Sequence, residues 1–172
     1  MDFLDLVKNR YSCRSFQSKE IEQEKIDKIL EASHACPTAC NIQPQKILVL
    51  TDKDELNKLS EATRFGWGAP LIFIICYDAN LSWKRKYDNQ DEGIVDASII
   101  TTHMMLEAYN LGLGSTWVGA FNPYKVKEIY NIPDNYKVVS ILPVGYPTDD
   151  AKPSNMHFDR KPLTDTVSYN KF

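Results

Sequence analysis

The run Leu71-Ile72-Phe73-Ile74-Ile75-Cys76-Tyr77 decides the fold of this chain. Its β-branched and aromatic residues make it the most strongly β-like stretch of the sequence, so it predicts a strand. Gly66, Gly68 and Pro70 come directly before it and end the helix predicted there. A second short strand is predicted at residues 46–50, a mostly apolar run of the kind that is buried on both faces of a sheet.

Helices are predicted around these two strands from capping residues and from apolar residues at helical spacing. Asp2 can cap the first helix, and Asn122-Pro123 combines an N-cap with proline at the first helical position. The longest helix is apolar all round and should be central and largely buried. Besides the helix that begins at Asp2, helices are predicted over residues 21–35, 52–62, 94–111 and 122–131, and further strands over residues 115–118 and 137–144. This alternation predicts a three-layer α/β or α+β domain.

The segment between the strand at 71–77 and the longest helix is different in composition. Residues 78–92 are rich in Asn, Asp, Lys and Gln, and they show no apolar period. We expect a surface connection with at most a helical turn. Such a segment could cover a pocket or could be a plain solvated loop, and the sequence leaves both readings open.

Length and composition predict one packed domain over residues 1–172. The chain has 172 residues, of which 43% are hydrophobic and 25% charged, and this length is short for two domains. The net charge of −3 and the lack of a long Lys/Arg run argue against a nucleic-acid surface and favour small-molecule partners. No apolar run is long enough to span a membrane, and the amino terminus does not resemble a secretory signal. A cytoplasmic protein is therefore expected.

The cysteines and histidines do not form a recognisable metal or catalytic motif. Cys36 and Cys40 are four apart rather than in a Cys-x-x-Cys pair, and no histidine cluster accompanies them. Gly112-x-Gly114 follows a predicted helix instead of a strand, so it is not a dinucleotide fingerprint. We expect free thiols, no metal ion and no catalytic side chain. An enzyme of this kind would rely on a cofactor for its chemistry.

Two polar segments stand out as candidate binding sequences. The first is Arg10-Tyr11-Ser12-Cys13-Arg14-Ser15-Phe16. If the first helix continues through it, Arg10 and Arg14 share one face, where like charges cost roughly 0.2–0.5 kcal/mol unless an anion such as phosphate lies between them. The second is Cys36-Pro37-Thr38-Ala39-Cys40-Asn41-Ile42-Gln43-Pro44-Gln45, a loop between a helix and a strand, and loops on a rigid scaffold often carry function.

Arg-x-Ser-x-Arg-x-Phe followed by Pro-Thr-Ala-x-Asn-x-Gln-Pro resembles the flavin-dependent nitroreductase family. The resemblance continues through three further blocks in the same order, Gly112–Gly119, Leu142–Pro147 and Arg160–Leu163. It implies an α+β, three-layer α/β/α fold with a central mixed β-sheet flanked by helices. It also implies an intertwined homodimer, with the helix at 94–111 in the interface and a carboxyl tail that can reach across the partner.

The resemblance further implies a binding site for FMN. In this sequence Arg10 and Ser12 match phosphate-side positions, and Arg14 matches the basic residue that reaches the ribityl chain and the pyrimidine edge. Arg160 would return to the phosphate, with Lys161 as a second candidate. The loop residues that would contact the ring from the other subunit are Pro37, Thr38, Ala39 and Asn41, and the turn whose backbone approaches the ring is Pro143, Val144 and Gly145.

The chain departs from the family pattern in two places. Gln45 stands where many relatives carry an aromatic residue, and no clear match exists for a further basic residue before the strand at 71–77, for which Arg64 is the candidate.

The implied activity is an FMN-dependent NAD(P)H oxidoreductase. NADH or NADPH would deliver hydride to flavin N5, and a small acceptor such as a nitroaromatic or a quinone would then be reduced in the same pocket, giving ping-pong kinetics. Two alternatives stay open at this point. One is another flavin reaction on the same fold, such as reductive dehalogenation or flavin breakdown, and the other is a non-enzymatic flavin-binding or storage protein.

Overall fold

The computed structural model describes residues 2–172 and has an α+β architecture, as predicted. A four-stranded sheet is covered by helices on both faces. The helices are α1 (Phe3–Asn9), α2 (Gln23–His34), α3 (Lys53–Lys58), α4 (Gly93–Asn110) and α5 (Pro123–Ile129), and the strands are β1 (Gln45–Leu50), β2 (Leu71–Asp78), β3 (Gly114–Ser115) and β4 (Tyr136–Gly145). The predicted N-cap of α5 is confirmed, because the Asn122 side chain accepts from the amides of Tyr124 and Lys125.

The sheet has the strand order β1-β2-β4-β3, and each neighbouring pair is antiparallel. β2 lies inside the sheet, with Leu50 of β1 opposite Ile72 and Val144 of β4 opposite Leu71. Residues 71–77 are all buried, which confirms the strand that was predicted there. Parallel pairing enters through one isolated bridge, between Ser12 and Ser115.

The third predicted strand is shorter than expected. The sequence predicts residues 115–118, whereas β3 contains only Gly114 and Ser115. Val118 forms a separate antiparallel bridge with Ile141 of β4. The short strand β3 pairs with β4 on one side and with the amino-terminal segment, at Ser12, on the other.

Each face of the sheet has its own apolar core. On one face, α2 and α4 bury Ile29, Ile100 and Met104 against Phe73 and Ile75. On the other face, residues around α3 and α5 pack against the opposite side of the same strand. The two cores give the three layers that the alternation of helices and strands predicts.

The first helix ends earlier than the phosphate argument requires. α1 stops at Asn9, and Arg10 has extended backbone angles, φ −60° and ψ 140°. Arg10 and Arg14 therefore do not share a helical face, and that part of the prediction is wrong. The physical reason is competition from the sheet, because the Cys13 amide donates to the Ser115 carbonyl at 3.0 Å, and Ser12 and Phe16 form bridges with Ser115 and Pro147.

The prediction that α4 is central holds for one side of the helix. Ala97, Ile100 and Met104 are fully buried, but Ile94 is 51% exposed and Val95 is 46% exposed. An apolar strip along α4 is thus left uncovered within one chain. Among residues 2–172, none of the helices combines the length and the apolar character that crossing a bilayer demands.

Of the polar segment at residues 78–92, Asp78 is the last residue of β2, and residues 79–92 form hydrogen-bonded turns rather than a regular element. Lys84 and Asp91 bridge in antiparallel fashion, and Arg85 pairs with Asp88 at 2.6 Å. Most of this segment is exposed, as its polar composition predicts.

Gly93 lets the start of α4 lie directly against β2. A Cβ atom placed on Gly93 would come within 2.1 Å of Cδ2 of the Tyr77 ring. We expect Gly93→Ala to lower the free energy of unfolding by about 1–3 kcal/mol or more, since overpacking displaces a ring that is held in the core. Urea unfolding measures the change. Gly119→Ala is the matched control because nothing lies within 4 Å of a Cβ there, and equal unfolding midpoints for the two variants would contradict the close approach.

Candidate functional site

Strand β3 brings two of the predicted site segments together. Ser12 forms a parallel bridge with Ser115, and Ser115 lies opposite Val144 on β4. Gly114 lies opposite Gly145 in the same pairing. The segment that contains Ser12 and Arg14 is therefore joined through β3 to Pro143–Gly145. These three residues are the end of strand β4 and not the predicted turn, because they pair with β2 and β3.

The amino-terminal segment continues alongside the residues that follow β4, Tyr146 and Pro147. The Gln17 amide donates to the Tyr146 carbonyl at 2.8 Å, and Phe16 bridges Pro147. A Cβ atom on Gly145 would lie 2.9 Å from Cδ1 of Phe16, so no larger residue fits between the two segments. The Val144 side chain is 0% exposed. Pro143 and Gly145 are buried as well, and the Pro143 carbonyl accepts from the Thr116 amide at 3.3 Å, so within one chain the Val144 side chain is not available to a ligand.

Arg14 is exposed and lies at the end of a row of aromatic rings. Its guanidinium donates to the Ser12 carbonyl at 3.3 Å and lies 5.9 Å from the centre of the Trp67 ring. Trp67 packs on Phe65 with 5.5 Å between ring centres, and the Arg64 guanidinium lies 5.0 Å from the Phe65 ring. The row thus connects the two cations, as cation–π contacts often do at surfaces. It places Arg64, the candidate for the missing basic residue, on the Arg14 side of the molecule.

Trp67 was not singled out by the sequence. It has a positive φ of 48°, which is uncommon for a bulky residue, and it is followed by Gly68 with φ 67°. The signal in the sequence is Gly66-Trp67-Gly68, and this pattern predicts only that the preceding helix ends there. Strained backbone of this kind is often found at functional sites.

A cavity of about 430 Å³ lies beside Ser12 and Arg14. Its opposite wall comes from the carboxyl tail, residues 150–155, which includes Asp150 and Lys152. Sequence reasoning did not name any of these tail residues, because the tail is polar and carries no motif there. The cavity combines the Arg14 and Lys152 cations with a single carboxylate.

Arg160 lines a second cavity of about 390 Å³, which shares Pro153 with the first. Its guanidinium donates to the Met156 carbonyl at 3.0 Å, and Nε2 of His157 lies 3.1 Å from the Lys8 carbonyl. The tail thus folds back onto the end of α1, next to Arg10. Residues from both ends of the chain border the two neighbouring cavities.

Within the described part of the chain, the loop at Pro37–Gln43 is hydrogen-bonded to α4 and not to the segments around β3. Thr38 shapes it by accepting the Asn41 amide on its carbonyl at 2.9 Å and the Gln43 amide on Oγ1 at 3.0 Å. The Ala39 amide donates to Oδ1 of Asp96 at 2.9 Å. Within residues 2–172, no hydrogen bond joins this loop to Ser12 or to Gly145. Among the described residues of one chain, the loop residues Pro37, Thr38, Ala39 and Asn41 therefore make no hydrogen bond to the other predicted site residues.

The thiols have the character of packing residues. Cys13, Cys36 and Cys76 are buried, and Cys40 is exposed. Burial raises the pKa of Cys36 to about 11 and that of Cys76 to about 12, so both are protonated at neutral pH. Across residues 2–172, no three His, Cys, Asp or Glu side chains are grouped so as to hold a metal ion.

Comparison with known proteins identifies the family. A model of the nitroreductase family matches residues 7–67 and 62–146. The chain belongs to the nitroreductase family. A nitroreductase family protein from Clostridium difficile 630 has a similar solved structure, with 40% sequence identity, full coverage of both chains and a TM-score of 0.94.

Two further relatives carry names that describe an activity. A protein from Archaeoglobus fulgidus, provisionally named NADH dehydrogenase/NAD(P)H nitroreductase, is 35% identical over 86% of this chain and 86% of its own length. The solved structure of a protein from Clostridium difficile R20291, named an FMN-dependent nitroreductase, is 28% identical and covers 99% of this chain and 100% of its own, with a TM-score of 0.81.

A polar network fixes Tyr146, the residue after β4, to the start of α2. The Tyr146 hydroxyl donates to Oε2 of Glu22 at 2.5 Å and accepts from Nζ of Lys25 at 2.9 Å. Lys25 also donates to the Leu111 carbonyl at the end of α4. The hydrogen bond from Tyr146 lowers the pKa of Glu22 from 4.5 to about 2.

This network makes a pH-dependent contribution to stability. A carboxyl whose pKa is lowered by folding stabilises the fold above its unfolded pKa, and the contribution is lost as pH falls through the folded pKa. We expect Tyr146→Phe to unfold at lower urea than the wild type at neutral pH, and the gap to shrink as pH falls from 4.5 towards about 2. Tyr124→Phe is the control, because that side chain is 83% exposed. A gap that stays constant with pH would disprove the role given to Glu22.

Proposed function

We propose that this chain is an FMN-dependent NAD(P)H oxidoreductase, one domain over residues 1–172, which reduces nitroaromatic, quinone or similar small acceptors by a ping-pong reaction through flavin N5. One observation carries the proposal, namely that β3 joins the Ser12–Arg14 segment to the end of β4 at Gly145. The name of the Clostridium difficile R20291 relative supports FMN as the cofactor. When bound, FMN supplies the redox chemistry, and the protein supplies position and electrostatics.

The phosphate of FMN would be held by Arg10, Ser12 and Arg160. Guanidinium groups suit a phosphate because they donate two hydrogen bonds in a fixed plane, and a hydroxyl can donate one more. The shared wall at Pro153 between the cavity beside Ser12 and the cavity beside Arg160 supports the grouping of Ser12 with Arg160. Arg10 lines neither cavity, and its guanidinium donates to the Met105 sulfur at 4.0 Å, so holding the phosphate would require this side chain to turn away from Met105.

The pyrimidine edge of the ring would be met by Arg14, with Arg64 as a second cation. Reduction places negative charge on that edge, and fixed cations stabilise charge that develops during a reaction. Trp67 and Phe65 connect the two guanidinium groups, which supports a common role. Backbone groups at the end of β4, at Pro143, Val144 and Gly145, would approach the ring.

We also propose a cytoplasmic homodimer in which Pro37, Thr38, Ala39 and Asn41 contact the flavin of the partner subunit. The exposed strip of α4 supports a dimer, since contiguous exposed apolar surface is typical of interaction sites. It lines a shallow depression of about 580 Å³ formed by Ile94, Val95, Ser98, Ile99, Thr102 and His103. Free cysteines agree with a reducing compartment.

The first test is the visible spectrum of the purified protein after addition of FMN and then, without oxygen, of NADH or NADPH. We expect a bound-flavin spectrum that bleaches with one of the nucleotides and returns when an acceptor is added. Initial rates should then give parallel lines for the two substrates. Binding without bleaching would favour a flavin-storage protein, and no binding would overturn the proposed function.

Within the same assay, Arg14→Ala should weaken FMN binding or slow its reduction by about tenfold or more, since a hydrogen bond to a charged group contributes roughly 1.5–3 kcal/mol. Lys28→Ala is the control, because Lys28 lies on α2 and pairs with Glu24 at 2.8 Å. An unchanged affinity and reduction rate in Arg14→Ala would remove Arg14 from the site.

The dimer has a separate test on α4. We expect the double variant Ile94→Asp and Val95→Asp to be monomeric in light scattering and to lose FMN, because two carboxylates would have to be desolvated in the interface. Tyr124→Asp, which also alters an exposed apolar residue, should remain dimeric. A double variant that stays dimeric would place the interface elsewhere.

A further inference from the structure

Asp96 is a buried carboxylate with only part of its hydrogen-bonding capacity used. It lies in the first turn of α4 and is 3% exposed. Oδ1 accepts from the Ala39 amide at 2.9 Å, whereas Oδ2 is buried with no hydrogen-bond partner among residues 2–172. No Lys, Arg or His in that range forms an ion pair with it. Burying such a group is costly, so its retention calls for a specific role.

The hydrogen bond to Ala39 is the link between the loop and the rest of the fold. Among the described residues, every other hydrogen bond made by residues 37–43 stays inside the loop. The first turn of a helix also favours a negative charge, so the amino end of α4 suits the carboxylate that receives this amide.

The loop needs an external anchor because its backbone is unusual. Cys40, Asn41 and Gln43 all have positive φ, 52°, 53° and 56°. Residues with side chains adopt this conformation only where the surroundings hold them in it. Thr38 supplies the internal hydrogen bonds, but these alone do not fix the loop relative to α4.

A second buried acceptor lies close along the chain to this anchor. Oε1 of Gln45 is buried with no hydrogen-bond partner among the described residues. Gln45 lies opposite Tyr77 on β2, and the Tyr77 ring lies against Gly93, three residues before Asp96. Both acceptors therefore belong to the corner where the loop, the sheet and the start of α4 meet.

We propose that Asp96 is a positioning residue that anchors the loop at residues 37–43 in the shape needed to contact the flavin ring. The part that concerns flavin rests on the proposed function. Asp96 acts through the Ala39 amide and does not touch the reacting atoms. The anchoring hydrogen bond requires an acceptor at the position of Oδ1, whereas the charge of the carboxylate adds only a favourable interaction with the first turn of α4.

The test compares Asp96→Ala with Asp96→Asn. Alanine removes the acceptor, whereas asparagine keeps a carbonyl oxygen and replaces Oδ2 by an amide that can donate. In flavin-free protein we expect hydrogen exchange at the Ala39 amide to be slow in the wild type and in Asp96→Asn, and at least tenfold faster in Asp96→Ala. This readout does not depend on FMN, so it stands even if the proposed function fails.

With FMN added, Asp96→Ala should bind about tenfold more weakly and should give an altered visible circular dichroism of the flavin, while Asp96→Asn should match the wild type. If Asp96→Asn behaves like Asp96→Ala, the charge and not the acceptor is essential, and the proposal is overturned. Unchanged exchange and unchanged flavin binding in Asp96→Ala would also overturn it.

A second variant guards against a general folding defect in Asp96→Ala. Ala39→Pro removes the same hydrogen bond from the loop side, at the first position of the turn Ala39–Asn41, where proline is tolerated. If the hydrogen bond carries the effect, Ala39→Pro should raise exchange across residues 40–43, and adding Asp96→Ala to it should bring little further change. Fully additive effects of the two substitutions would count against the anchor.

Discussion

The two-residue strand β3 is the constraint on which the candidate site depends. It pairs with the end of β4 on one side and with Ser12 on the other, so it fixes the distance between the amino-terminal segment and Gly145. Gly114 is required there, because a Cβ atom would come within 2.6 Å of the Cys13 Cβ. A Thr116 hydroxyl that donates to the Cys13 carbonyl holds the same contact from the next residue. Three segments distant in sequence are thus joined by a few backbone bonds.

Much of the fold could be predicted from local patterns. The apolar run at 71–77 and the Asn122-Pro123 cap depend on residues next to each other in sequence, so propensity and capping rules were sufficient. The end of α1 and the length of β3 could not be predicted in this way, because both are set by pairing across the chain. The chain after α1 is not helical because the Cys13 amide donates to the Ser115 carbonyl, a partner that is available only in the folded protein.

The candidate site shows the same division. Family resemblance supplied Ser12, Arg14 and Gly145, and the structure joins the Ser12–Arg14 segment to Gly145 through β3. The resemblance could not supply Trp67, whose position beside Arg14 depends on a strained turn. It also could not supply residues 150–155, which form one wall of the cavity beside Ser12. The roles assigned to Arg10, Arg160 and the loop at residue 37 stay predictions. Apolar residues all round α4 led the sequence to predict a largely buried helix. Within one chain, however, the structure leaves one apolar strip of α4 exposed.

The tail that lies against α1 separates the scaffold from the cations proposed to bind the phosphate. The two apolar cores are built from residues between Phe16 and Tyr146, whereas Arg10 and Arg160 lie on either side of that range in sequence. Neither arginine belongs to the hydrophobic interior. The proposed phosphate contacts could therefore change during evolution while the scaffold that positions them is kept.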